Sequence, residues 1–121
     1  MVKVLIIDDD PNSTDLIKTL LELDGFEVKV CLRGSEAIQT ALAFLPDAFL
    51  IDFHLDDREG VDIVQELRRT HVFARAPIIM ASGRDVDREA KAAGANKFLI
   101  KPYDPSDLSK HIFALMNNGN G

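Results

Sequence analysis

The 121-residue chain has one cysteine, Cys31. A single thiol excludes a disulfide framework and any zinc site built on cysteines. Its place in an apolar run marks it as a small buried hydrophobe rather than a reactive group. Basic residues are in the minority, with 14 Lys and Arg against 20 Asp and Glu and a net charge of −6. No basic face is evident to neutralise phosphates, so direct nucleic-acid binding is not expected, and an anionic membrane surface is disfavoured. No apolar run approaches the ~20 residues of a membrane span. The opening Met1-Val2-Lys3-Val4 has the pattern of a strand, not of a secretion signal, and the expected location is cytoplasmic. No Gly-x-Gly-x-x-Gly follows the first apolar run, which counts against a nicotinamide-binding fold. The histidines His54, His71 and His111 show no metal-ligand spacing, and His71 and His111 are read as surface residues.

What is present suffices for one domain. Hydrophobic residues make up 46% and charged residues 28%, the balance of a globular chain with one core. Short apolar runs predict strands at about 2–7, 27–31, 48–52, 77–81 and 97–100, and helical periodicity predicts helices at about 11–24, 35–45, 60–70, 85–93 and 105–117. Asp10 is a suitable N-cap before Pro11, after which Leu16, Ile17, Leu20 and Leu21 share one face. Ala37, Ile38, Ala41 and Leu42 repeat that spacing in the second helix. Gly25 and Gly94 end helices where a left-handed residue is needed. Asp104 caps the last helix, with Pro105 in its first turn and Asp107 favouring the dipole. The domain is expected to span 1–117, with the polar 118–121 a flexible tail or the start of a linker.

Five alternating β–α units predict a doubly wound parallel sheet covered on both faces by helices. Ligands of such sheets sit beyond the carboxyl ends of the strands. Asp8 and Asp9 follow the first strand, Asp52 the third, Ser82 the fourth and Lys101 the fifth. Singly, each has an ordinary explanation as a cap, a turn former or a solvated lysine. Together at one rim, crowded carboxylates need compensation, and a divalent cation with a lysine provides it. That combination suits a metal-assisted phosphoryl site. Asp10 is reserved for capping, and Asp56-Asp57-Arg58-Glu59 reads as a solvated loop.

In order and spacing, these residues resemble the receiver domains of two-component response regulators. The resemblance runs from Lys3 to about Met116. It is carried by Ile7-Asp8-Asp9, by Leu50-Ile51-Asp52 with Gly60 eight residues on, by Met80-Ala81-Ser82-Gly83, and by the stretch Ala93 to Pro102. It implies a flavodoxin-like (βα)5 fold with strand order 2-1-3-4-5. It also implies a phosphorylation-dependent signalling switch in which Asp52 accepts a phosphoryl group from a phosphohistidine. Asp8, Asp9, Asp52 and the backbone carbonyl of His54 would serve Mg2+, with Mn2+ as its substitute. Asp8 would act through bound water. Lys101 and Ser82 would contact phosphoryl oxygens, and backbone amides after Asp52 and Ser82 are further candidate donors. His54 and Arg84 occupy rate-tuning positions. Ser82 and Phe98 form the switch, and Pro102 is expected to follow a cis peptide bond.

The implied partners are a sensor histidine kinase or phosphotransfer protein, docking near Pro11, Asn12, Asp15 and Leu16. A downstream protein or linked output domain would read the face made by the fourth helix, fifth strand and fifth helix. The chain would then be no conventional enzyme, catalysing only its own phosphoryl transfer and dephosphorylation. Three positions depart from the family pattern: Ser82 for a commoner threonine, Asp56 for a frequent proline and Leu55 for a frequent methionine. The competing readings are a pseudo-receiver that binds without phosphorylation and an Mg2+-dependent phosphohydrolase. The second lacks an acid–base carboxylate close after Asp52, where Phe53-His54 stand, and has no room for a cap domain.

Overall fold

The computed structural model describes residues 1–118 and shows a five-stranded parallel sheet with helices on both faces. In chain order the elements are β1 (Lys3–Ile7), α1 (Pro11–Leu23), β2 (Glu27–Cys31), α2 (Ala37–Phe44), β3 (Ala48–Asp52), α3 (Gly60–Arg69), β4 (Ile78–Ser82), α4 (Asp87–Ala93), β5 (Lys97–Ile100) and α5 (Leu108–Asn118). The sheet order is β2-β1-β3-β4-β5, as expected. The register sets Ile7 beside Ile51, Asp52 beside Ala81 and Ser82 beside Ile100, so the ends of the strands that carry the candidate residues line one rim.

Alternation along the strands divides the core into two layers. Leu5, Ile7, Phe49, Ile51, Ile78 and Met80 pack with Ala37, Ala41, Ile63, Val64, Leu67 and Ala90 on the face covered by α2, α3 and α4. Val4, Ile6, Ala48, Leu50 and Ile79 pack with Ile17, Leu21, Leu108 and Ile112 beneath α1 and α5. The central strands are buried on both sides, which is why they read as continuous apolar runs.

Helix starts follow local chemistry. Asp10 Oδ1 accepts from the Asn12 amide at 3.1 Å, and Asp104 Oδ1 accepts from the Ser106 amide at 3.0 Å. Gly25 and Gly94 take φ of +95° and +123° after α1 and α4, conformations that disfavour a Cβ. Several boundaries differ from the periodicity. A 3-10 turn at Gly34–Glu36 precedes α2, another at Pro105–Asp107 precedes α5, and α4 begins at Asp87 instead of 85. Leu45, a non-glycine residue at φ 54°, ends α2. Leu16 and Leu42, which share the apolar faces of α1 and α2 by spacing, are 54% and 48% exposed, because the covered stripe of each helix is narrower than the periodic pattern. Of the expected tail, Asn118 closes α5 and 119–121 lie outside the described residues. No helix among the described residues is long and apolar enough to cross a membrane.

Candidate functional site

Parallel register brings Asp8, Asp9 and Asp52 together, with one carboxylate oxygen from each within 4.8 Å of the others. They are the one such group among the described residues. Asp8 is buried, and the side chain of Asp52 is 12% exposed. Lys101 reaches them from the end of β5: its Nζ donates to Asp52 Oδ1 at 3.0 Å and lies 3.6 Å from Asp8 Oδ2. The Lys101–Pro102 peptide bond is cis.

Burial holds the Asp8 carboxyl above the usual carboxylate range, offset in part by the Asp10 amide and by Lys101. Burial also raises Asp52, again offset by Lys101. Burial alone would lower Lys101, but its hydrogen bond to Asp52 and the charges of Asp52 and Asp8 outweigh that, and its ammonium is held above the usual lysine value. The pocket therefore carries more negative charge than one lysine neutralises, and a further cation would relieve it. The phenol of Tyr103, nearby on the following loop, is pushed up to about 12 by burial and by Asp8 and Asp52.

Each carboxylate is oriented by a fixed donor. Asp8 Oδ1 accepts from the Asp10 amide at 3.0 Å, and Asp9 Oδ2 accepts from the Asp56 amide at 2.7 Å. The donor set is oxygen only, which fits a hard divalent cation. Three carboxylate oxygens within 4.8 Å of one another lie close enough for their residues to hold such an ion.

Ser82 is buried at the end of β4, and its Oγ accepts from the Arg84 amide at 3.1 Å. Arg84 and Gly83 are exposed, and a Cβ added at Gly83 would meet nothing within 4 Å. Phe98 is half-buried and packs against the layer beneath α3 and α4. His54 is exposed; its Nδ1 lies 3.8 Å from Glu59 Oε2, and its ring packs edge-on against Phe53 at 4.8 Å. Gly60 starts α3 directly against the strand end, and a Cβ there would stand 2.2 Å from the Asp52 carbonyl oxygen.

Of the amides after Asp52, that of Phe53 donates to Ala81 O at 2.9 Å because the sheet ladder continues past Asp52. One sequence expectation is corrected. The acidic loop is not merely solvated. Asp57 Oδ1 and Oδ2 accept from the Gly34 and Ser35 amides at 2.9 and 3.0 Å, and Arg58 Nη2 meets Glu66 Oε1 at 2.6 Å. Those partners lie in other elements, and no local spacing announces them. Tyr103, two residues past Lys101, carried no motif of its own. A groove of about 230 Å³ beside the site is lined by Ser13, Leu16 and Ile17 of α1 and by Pro102 and Tyr103.

The response regulator receiver domain family model matches residues 4–113. The transcriptional regulatory protein CpxR of Klebsiella pneumoniae is 37% identical over 122 aligned positions, covering 96% of this chain and 50% of that protein. The phosphate regulon regulator PhoB of Rhizobium meliloti is 31% identical, covering 94% and 52%. The chain thus spans about half the length of these curated relatives. Among solved structures, chemotaxis protein CheY4 of Vibrio cholerae superposes with a TM-score of 0.89 at 28% identity, covering 95% of this chain and 98% of that one. A family model matched from β1 well into α5, on a sheet of the order seen here, leaves one assignment: the chain belongs to the response regulator receiver domain family.

Proposed function

We propose that this receiver domain accepts a phosphoryl group on Asp52 from a phosphohistidine and uses it as a signalling switch. The observation that carries the reading is the Lys101 ammonium, 3.0 Å from Asp52 in a pocket shared with Asp8 and Asp9. In the transfer, an Asp52 oxygen forms the new bond to phosphorus while the phosphorus–nitrogen bond of the donor histidine breaks. The imidazole leaves with the electron pair. A carboxylate attacking an anionic phosphoryl group is slow without charge compensation. Lys101 supplies one positive charge and the Ser82 hydroxyl a hydrogen bond to the equatorial oxygens. Asp9, Asp52 and the His54 carbonyl would hold Mg2+ or Mn2+, with Asp8 acting through water. Bound there, the ion neutralises charge on both reactants. The exposed His54 and Arg84 flank the entrance, where they would govern access of hydrolytic water.

Switching would follow from Ser82 moving toward the phosphoryl group and Phe98 turning inward, which alters the surface of α4, β5 and α5. This is a two-state element biased by one local bond. The groove between α1 and Tyr103 suits a histidine kinase or phosphotransfer protein. In longer relatives named as transcriptional regulators, the altered surface would address a linked output domain. The chemistry is limited to the chain's own phosphorylation and dephosphorylation.

Incubation with Mg2+ and a small acyl phosphate is expected to add one phosphoryl mass by intact-mass spectrometry, and Asp52→Ala to abolish it. No adduct with any donor, from protein shown to be folded, would overturn the reading.

A further inference from the structure

The carboxylates at this site share a pattern: one oxygen of each is held by a donor of the protein. For Asp9 that donor is a backbone amide 47 residues away, Asp56 N–H to Oδ2 at 2.7 Å, short for an N–H···O bond. Its other oxygen has no protein partner among the described residues. Asp56 itself is exposed, and its side chain makes none of these contacts. The amide is aimed by its neighbours. Leu55 is buried on one side. On the other, Asp57 is bonded to the Gly34 and Ser35 amides, and Arg58 is tied to Glu66. The loop is seated on Gly34, where an added Cβ would meet Arg58 Cβ at 2.9 Å. At its far end the Gly60 amide closes back onto Phe53 O at 2.9 Å.

We infer that the Asp56 backbone amide is a positioning donor for Asp9, and that it makes cation binding and ordering of the loop after Asp52 one coupled equilibrium. The inference rests on the proposed cation site. A carboxylate free to rotate loses entropy when it binds a cation. One already fixed through a single oxygen presents the other without that cost, and donors behind metal ligands typically change affinity 10- to 100-fold. By linkage, a cation that holds Asp9 also holds the loop, so the backbone that follows Asp52 stiffens when the site fills.

The test compares Asp56→Pro with Asp56→Asn. Both lose the side-chain charge, but only proline loses the N–H. In Mg2+ titrations by calorimetry, Asp56→Pro is expected to bind about 10-fold more weakly than Asp56→Asn. Equal affinities, or tighter binding by the proline variant, overturn the inference while wild-type binding still supports the site. A flat wild-type titration overturns both. If Asp56→Pro does not fold, amide hydrogen exchange in the wild-type protein decides. The Asp56 amide must be protected in EDTA and more protected in Mg2+. Exchange at the rate of an open amide, or faster with Mg2+, refutes the positioning role.

Discussion

Replacing Gly60 with alanine tests the close contact beneath the site. Its φ is not positive, so the constraint is space rather than backbone conformation. The new Cβ would stand 2.2 Å from the carbonyl oxygen of Asp52, 3.0 Å from Phe53 Cα and 3.0 Å from the Met80 methyl. Met80 is flexible, but the other two are backbone. The helix and the strand end must separate by about 0.8 Å before the oxygen contact reaches even 3.0 Å. Ile63, Val64 and Leu67 of α3 are completely buried, so a shift of that size loosens their packing. A radial gap of 0.5–1 Å forfeits roughly a quarter to a half of a contact's dispersion energy. Overpacking typically costs about 1–3 kcal/mol. Alanine's better helix propensity returns less than about 1 kcal/mol at this terminal position. The expected net loss is about 2 kcal/mol, or a fall in melting temperature of roughly 8 °C for a domain of this size. Denaturant unfolding monitored by circular dichroism measures it. Because Asp52 moves with its carbonyl, the 3.0 Å contact to Lys101 should lengthen and Mg2+ affinity should drop in parallel. A variant as stable as wild type with unchanged Mg2+ binding would falsify the claim that Gly60 is required for space.

Three further expectations concern charge and hydrogen bonding. Asp8 and Asp52 sit above the ordinary carboxylate value of 3.8, so the folded state holds their protons more tightly than the unfolded state does. Their stabilising contribution is present below that ordinary value and is lost as pH rises through the raised folded values. In EDTA the melting temperature should therefore fall from about pH 4 upward more steeply than in an Asp8→Asn, Asp52→Asn double variant, and equal slopes would contradict the burial argument. At pH 7, Mg2+ at about five times its Kd should restore roughly 1 kcal/mol. Arg68 reaches the carbonyls of Phe73, Ala76 and Gly94 and the side chain of Asn96, at 2.7 to 3.1 Å. Arg68→Lys keeps the charge but not the fork, and is expected to cost about 1–3 kcal/mol in denaturant unfolding. No measurable loss would show that those carbonyls find water instead.

Local chemistry made much of this protein legible. A central parallel strand must be apolar on both faces, so Val4 to Ile7, Ala48 to Ile51 and Ile78 to Ala81 declare themselves as continuous runs. Asp10 and Asp104 cap the helical turns that follow them because an N-cap contact spans two or three residues. Once those runs are strands of one parallel sheet, Asp8, Asp9, Asp52, Ser82 and Lys101 have to share a rim. What the chain order leaves open is distance and aim. Lys101 meets Asp52 across 49 residues, Asp9 meets the Asp56 amide across 47, and Asp57 reaches Gly34 across 23. Leu16 and Leu42 turn outward although their spacing matched the apolar faces. Such contacts depend on how helices and loops settle against a twisted sheet, which the sum of many weak packing interactions decides. Residue order could name the charged groups at the rim; only the packed molecule could set which oxygen each donor holds.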